Sequence, residues 1–309
     1  MTEQEKKKMK REILKRYELY KIRDHRLQRL IKDPLRTLPF YILVLLSKIK
    51  PFQIEFKTLW GDKIYCYLPD GNAIFYYGCP GEANLTNFFI NFLKERDVFI
   101  DIGAHLGFYS LLVARLVGEQ GKVYSFEPTP RTFEFLKKNV STVLNVIINQ
   151  VAVLDEEKSI SFIDYGPRYS AFNTYQERKS KDLNFLQKSK KIINVKTITL
   201  DKYCQENDIQ PTFIKIDAEG AEHPILQGMS YILNSLRPFI SLEVAGGDEW
   251  KENCQKSIQM LLGKSYRVFE IIPEGKLIPH TVQEKYSYNN NNLIFIPEEK
   301  IKLYSKLFV

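Results

Sequence analysis

Three carboxylates and a lysine crowd one short stretch of this chain: Phe213-Ile214-Lys215-Ile216-Asp217-Ala218-Glu219-Gly220-Ala221-Glu222. Acids in the first turn of a helix are favoured by its dipole, so capping is one reading. A lysine and three acids beside one strand end exceed what a cap needs. Such a cluster can take a proton from a hydroxyl or hold a hard cation through oxygen. Glu243, at the end of the apolar run 238–244, is a further acid of the same kind.

A second group lies upstream. Asp101-Ile102-Gly103-Ala104-His105-Leu106-Gly107 follows a short apolar run, and its glycines allow a tight turn and close approach of a ligand. The spacing is G-x-x-x-G. His105 stands where a dinucleotide fingerprint has its central glycine, so a dinucleotide is disfavoured. No G-K-[ST] follows, which excludes a P-loop. The next apolar run ends Phe126-Glu127-Pro128, with Glu127 20 residues after Gly107. An acid there is placed to accept two hydrogen bonds from a ribose diol. Asp101 would face the amino group of a smaller adenosine ligand. Gly103, Ala104, His105 and Gly107 form the loop, Ala152 borders the adenine, and Glu82 reaches the pocket from Gly81-Glu82-Ala83. Together these form the arrangement of an S-adenosylmethionine site. Separately, Asp101 could cap a helix and Glu127 could pair with a lysine.

Positioning these residues at strand ends requires a particular scaffold. Apolar runs at 98–102, 123–126, 146–153, 196–200, 213–216, 238–244, 267–272 and 293–296 read as strands. Helical patterns at 108–116, 131–140, 201–207, 221–226 and 250–262 separate them. This alternation predicts an α/β fold, a doubly wound parallel sheet with helices on both faces. Ligands of such sheets sit beyond the carboxyl ends of the strands. Ahead of it, 2–33 reads as one charged helix, and 54–59 with 63–68 as a hairpin around Trp60-Gly61-Asp62. Residues 73–77 read as a short strand and 86–93 as a buried helix. The division expected is a basic helical extension at 1–50, a β-hairpin region at 51–77 and the main domain at 78–309. An irregular excursion at 154–192 carries Phe162, Tyr165, Tyr169, Phe172 and Tyr175, a candidate lid or sugar-stacking wall. Specificity is expected there or in Gly246-Gly247-Asp248-Glu249-Trp250.

The 309 residues carry a net charge of +8, of which +7 falls within residues 1–36. A basic arm on a nearly neutral body fits anionic lipid or plain solubility as well as nucleic acid. Hydrophobic residues at 44% and charged residues at 27% suit a globular protein and exclude global disorder. Cys66, Cys79, Cys204 and Cys254 are far apart and read as free thiols of a reducing cytoplasm. No signal peptide is evident. The apolar run 38–46, interrupted by Pro39, is short of a membrane span. With the amphipathic arm before it, residues 2–46 are a candidate peripheral contact with an anionic membrane face.

The stretches VFIDIGAHLGFYS, YSFEPTPRTFEFLKKNV, VKTITLDKY, FIKIDAEGAEHPILQG and PFISLEV, in this order, resemble the FkbM-type methyltransferases. The resemblance covers about residues 78–297 and is most specific in I-K-I-D-x-E-G-x-E. It implies a Rossmann-like class I methyltransferase fold, a seven-stranded sheet with the last strand antiparallel. It implies S-adenosyl-L-methionine as cofactor and O-methylation, with a sugar hydroxyl of a polysaccharide or glycolipid precursor as acceptor. His105 stands where the family commonly has Asn.

Methyl transfer to oxygen needs in-line placement and an exit for the hydroxyl proton. Asp217 is the first candidate for cofactor or catalytic contact. Glu219, Glu222 and Glu243 are candidates for base or hydroxyl contact, and Lys215 would keep them ionised. Asp217 with Glu243 could hold Mg²⁺, but the sequence shows no third ligand, so no metal is expected. The alternatives are a nucleic-acid methyltransferase and a non-catalytic S-adenosylmethionine-binding protein. No nucleic-acid partner is expected, because Asp217-Ala218-Glu219-Gly220 stands where a base-clamping motif would be and would repel phosphates.

Overall fold

A computed structural model of the chain describes residues 1–176, 186–244, 251–282 and 291–309. Its centre is an eight-stranded sheet. In chain order the sheet strands are β3 (Val98–Ile102), β4 (Lys122–Phe126), β5 (Val146–Asn149), β9 (Phe213–Ile216), β10 (Phe239–Val244), β11 (Tyr266–Ile271), β12 (Leu277–Pro279) and β13 (Asn291–Pro297). They lie side by side as β12-β11-β13-β10-β9-β3-β4-β5. β13 runs antiparallel to both β10 and β11, while β10, β9, β3, β4 and β5 are parallel. The seven-stranded pattern implied by the resemblance is present, and the three-residue β12 adds an eighth strand at the edge.

Chain direction across the sheet reverses between β3 and β9. From β3 the chain steps outward to β4 and β5, and then returns to β9 on the other flank. The crevice at such a switch point is where open α/β sheets bind ligands. Helices α5 (Ala83–Phe92), α6 (Phe108–Val117), α7 (Pro130–Val140), α8 (Leu200–Glu206), α9 (Glu222–Gln227) and α10 (Lys251–Gly263) connect and cover the strands. Phe88, Phe89, Phe99 and Phe213 stack and tilt against one another beneath the sheet, all fully buried.

Three local expectations outside the N-terminal arm are corrected. Residues 154–192 are not wholly irregular. β7 (Ser159–Asp164) pairs antiparallel with β8 (Lys191–Ile198), which pairs parallel with β6 (Ala152–Val153) in a small side sheet. The run 146–153 is therefore two strands, broken at Gln150-Val151, where the chain leaves the main sheet. Residues 73–77 belong to a helix, α4 (Asn72–Tyr77), closed by Gly78 in the left-handed region. A short apolar run cannot distinguish helix from strand, and packing of Tyr76 against Phe40 decides here.

The arm is three helices, α1 (Glu3–Lys21), α2 (Arg26–Lys32) and α3 (Pro34–Ile49), followed by the hairpin β1 (Phe52–Lys57) and β2 (Lys63–Leu68). The single helix expected over 2–33 breaks at Ile22–His25. Pro39 does not end α3. The Leu35 carbonyl it leaves unserved belongs to a residue that is 90% exposed, where water can satisfy it. Met9, Ile13, Leu19 and Phe40 of the arm join the same core as the sheet. Among the described residues no helix is long and apolar enough to cross a membrane. All four cysteines are buried thiols outside any disulfide.

Candidate active site

The switch-point crevice opens into a cavity of about 580 Å³. Its first wall is the turn after β3. Gly103 is at φ +76°, and a Cβ there would stand 1.8 Å from the Asp217 carbonyl oxygen. Only glycine lets the β3 and β9 turns approach this closely. His105 is also left-handed, at φ +50°, a conformation that Asn and His tolerate better than most residues. Gly103, Ala104 and His105 all line the cavity.

Glu127, at the end of β4, is buried and lines the same wall. Its Oε2 accepts the His105 N–H at 3.2 Å and its Oε1 the Thr129 N–H at 2.9 Å. These bonds fix the carboxylate while leaving lone pairs on both oxygens for a ligand diol. Burial pushes the carboxyl above its ordinary range, opposed by His105 and by these backbone bonds. Ala152 of β6 lines the cavity beside Val151 and Val153.

The opposite wall is acidic. Asp217, Glu219 and Glu243 line it, and one oxygen from each lies within 4.8 Å of the others. The third ligand that the sequence did not show is thus Glu219, which the turn after β9 brings back at φ +50°. Donor type and spacing suit a divalent cation.

Lys215 organises this wall. It is 2% exposed, donates to Asp217 Oδ2 at 2.8 Å and lies 3.8 Å from Asp101 Oδ1. Burial works against the Asp217 carboxylate, but the Lys215 ammonium, a hydrogen bond with Glu243 and the His105 charge together hold the group below its ordinary value. Glu243 moves the other way. Burial raises it strongly and the Asp217 and Glu219 charges raise it further, which favours its protonated form beside Asp217. Glu82 lines the cavity from the start of α5. It accepts from the Tyr109 hydroxyl at 2.9 Å and from the Asn292 amide. Burial and the Asp217 charge raise it, while Lys215 opposes them.

Three expected site residues do not line the cavity. Asp101 is fully buried beneath the turn, where it accepts from Ser110 at 2.7 Å and faces Lys215. It pairs across the sheet with Lys215, whose side chain lines the cavity where that of Asp101 does not. Gly107, at φ +82°, starts α6, and a Cβ there would stand 2.6 Å from Leu136 Cδ1, so its role is packing. Glu222 is corrected as a base candidate: it is buried, and its Oε1 accepts the Ala218 and Gly220 N–H groups. It braces the turn that carries Glu219. Burial raises it to about 7, against those same backbone bonds.

Several lining residues were not anticipated. His105 Nε2 lies 2.6 Å from Ser170 Oγ and 3.3 Å from Asp70 Oδ2, and Ser170 also bonds Asp70. Burial works against the imidazolium, but Asp70, with the Glu127 and Asp217 charges, raises His105 overall. Tyr17, Tyr20 and Arg23 reach the cavity from α1 and the turn after it. The Arg23 guanidinium lies 4.7 Å from the Tyr20 ring. Nothing in the local pattern of the arm marks these residues, because the contact joins segments far apart in the chain. Of the expected aromatic wall, Phe162 and Tyr175 line the cavity, whereas Tyr165, Tyr169 and Phe172 pack with Ile163 and Leu186 in a separate cluster. The segment 246–250 lies outside the described residues.

Comparison with known proteins bears on this geometry. A curated hexuronic acid methyltransferase of Haloferax volcanii is 25% identical over 173 residues, 56% of this chain and 66% of that protein. A methyltransferase of Beauveria bassiana is 24% identical over 148 residues, 44% of this chain and 59% of its own length. The chain thus matches less than two thirds of either relative. The solved FkbM methyltransferase of Methylobacillus flagellatus aligns with a TM-score of 0.43 and 13% identity, over 72% of this chain and 52% of that one. The model of the methyltransferase FkbM domain matches residues 101–271, from the last residues of β3 to the end of β11. That span covers more than half of the sequence and both walls of the cavity, and the chain belongs to the FkbM methyltransferase family.

Proposed function

We propose that this protein uses S-adenosylmethionine to methylate a sugar hydroxyl in a polysaccharide or glycolipid precursor. The observation that carries the reading is one cavity with two unlike walls. A glycine turn with a fixed carboxylate, Glu127, faces an acid cluster organised by Lys215. The residues fit the cofactor: the close-packed Gly103 turn leaves backbone bare to a ligand, and Glu127 keeps acceptor capacity for a ribose diol. Gly103, Ala104, Glu127 and Ala152 would hold it, and when bound it supplies an electrophilic methyl carbon.

The chain's own groups handle the acceptor. Asp217, ionised against Lys215, accepts a hydrogen bond from the acceptor hydroxyl and orients its oxygen. The proton leaving that oxygen passes to the Asp217–Glu219–Glu243 cluster, whose closely spaced carboxylate oxygens can accept it. This route needs no metal. Arg23 adds a cation to the Lys215 ammonium in the cavity lining, and Asp70 favours the imidazolium form of His105, which together suit a negatively charged sugar. The relative that methylates hexuronic acid favours the same acceptor class.

Calorimetric titration of S-adenosylmethionine and NAD into the protein and into Glu127→Ala tests the cofactor. Preference for NAD, or no binding of S-adenosylmethionine, defeats the reading. Methylation assays with uronic and neutral glycosides then test the acceptor.

A further inference from the structure

Helices α2 and α3 turn polar as well as apolar side chains inward. Thr37 and Ser47 of α3 are fully buried, with Thr37 Oγ1 2.6 Å from the Tyr76 hydroxyl and Ser47 Oγ donating to the Val44 carbonyl at 2.8 Å. In α2 the inward residue is Arg29, whose guanidinium donates to the Tyr77 hydroxyl at 3.0 Å. Phe40 and Val44 share the inward face of α3, yet a row of large apolar residues faces out. Ile31 is 73% exposed, Leu35 90% and Ile49 80%, with Leu38, Ile42 and Leu45 more than half exposed. From Leu35 onward these recur at three- and four-residue steps, so they form one stripe along the helix. Isolated exposed leucines need no explanation, but a continuous stripe above buried hydroxyls marks a surface that something covers.

We infer that the α2–α3 face docks on an anionic lipid bilayer. The charges around the stripe select this occupant. Within residues 22–50, Arg23, Arg26, Lys32, Lys48 and Lys50 are exposed, against Asp24 as the one exposed acid. Apolar side chains on one face with cations at its margins are the pattern of a helix lying in a headgroup layer. A second copy of the same face would set these cations against their own kind. The 16 residues of α3 are too few to span a bilayer, so the helix lies on it. Arg23, which lines the cavity, stands three residues before the start of α2. Docking therefore sets one edge of the cavity beside the lipid surface, within reach of an acceptor anchored there.

Sedimentation with vesicles tests this independently of any methyl transfer. The full chain should sediment with vesicles containing phosphatidylglycerol, far less with phosphatidylcholine alone, and less as salt rises. The triple variant Leu35→Glu, Ile42→Glu, Ile49→Glu alters only outward side chains and should keep its circular dichroism and melting temperature. It should lose about tenfold or more in partitioning. Lys32→Gln with Lys48→Gln and Lys50→Gln should lose the preference for anionic lipid and keep the weak residual binding. The inference is overturned if the protein sediments with neither vesicle, or if the triple variant binds as the parent does. It is equally overturned if light scattering finds a dimer that the triple variant dissociates while vesicles bind neither form.

Discussion

The two walls of the cavity are both built on carboxylates, yet they use them differently. Glu127 spends its bonding on backbone N–H groups, which fix it in one place. Asp217, Glu219 and Glu243 face one another, with one lysine on one side, and so share charge and protons. A carboxylate held by fixed donors binds. Carboxylates held against each other, with opposed pKa shifts, can move a proton. The contrast teaches that residue type alone does not assign a role; the partners do.

Lys215→Met tests the acidic wall most severely. It leaves Asp101 and Asp217 without their buried cation, and should cost about 3–5 kcal/mol of stability in urea titration. If stability barely changes, Lys215 does not organise that wall. Asp217→Asn should fold and still bind S-adenosylmethionine, but should lower turnover by about 10²–10³-fold, or roughly 3–4 kcal/mol. An equal loss in cofactor affinity would erase the division of labour between the walls.

Glu222→Gln separates bracing from chemistry. A carboxyl raised to about 7 in the fold binds more protons folded than unfolded between its ordinary value of 4.5 and 7. Its contribution is therefore fully present below pH 4.5 and is lost as pH rises through 7. Glutamine can still accept the two N–H bonds and carries no charge to bury. The variant should match the parent near pH 4 and exceed it by up to about 3 kcal/mol at pH 8. An unchanged pH dependence of the urea midpoint would remove Glu222 from the account.

Glu127→Ala should weaken S-adenosylmethionine at least about tenfold, or roughly 1.4 kcal/mol, with turnover at saturation little changed. A chelator should leave the rate within about twofold, because the carboxylates alone suffice as proton acceptors. Loss of activity restored by Mg²⁺ would turn the acid cluster into a cation site and replace the metal-free route.

Much of this was legible in the sequence because it is local. A glycine turn after a strand, an acid at the next strand end and a lysine two residues before an aspartate are each set by a few consecutive residues. Alternation of apolar runs with helical patterns is local as well, and it places Asp217, Glu243 and Glu127 at strand ends. The short element at 73–77 was not legible, since five apolar residues suit helix and strand alike.

The sequence by itself determined the family, the α/β order and the chemical types that meet at the switch point. Only the tertiary structure decided which of them share the cavity. Asp101 and Glu222 were expected at the site as Glu127 and Glu219 were, yet one turns into the core beneath Lys215 and the other locks a turn. Asp101 meets Lys215 only because β3 and β9, far apart in the chain, pair side by side, and Glu222 reaches the Ala218 and Gly220 amides only because the turn after β9 closes back on it. The same holds for Tyr17, Tyr20 and Arg23 at the cavity edge, and for the hydroxyls of α3 that turn inward while its leucines face out. Hydrophobic periodicity fixes that a helix has two faces, but the packing partners decide which face is covered.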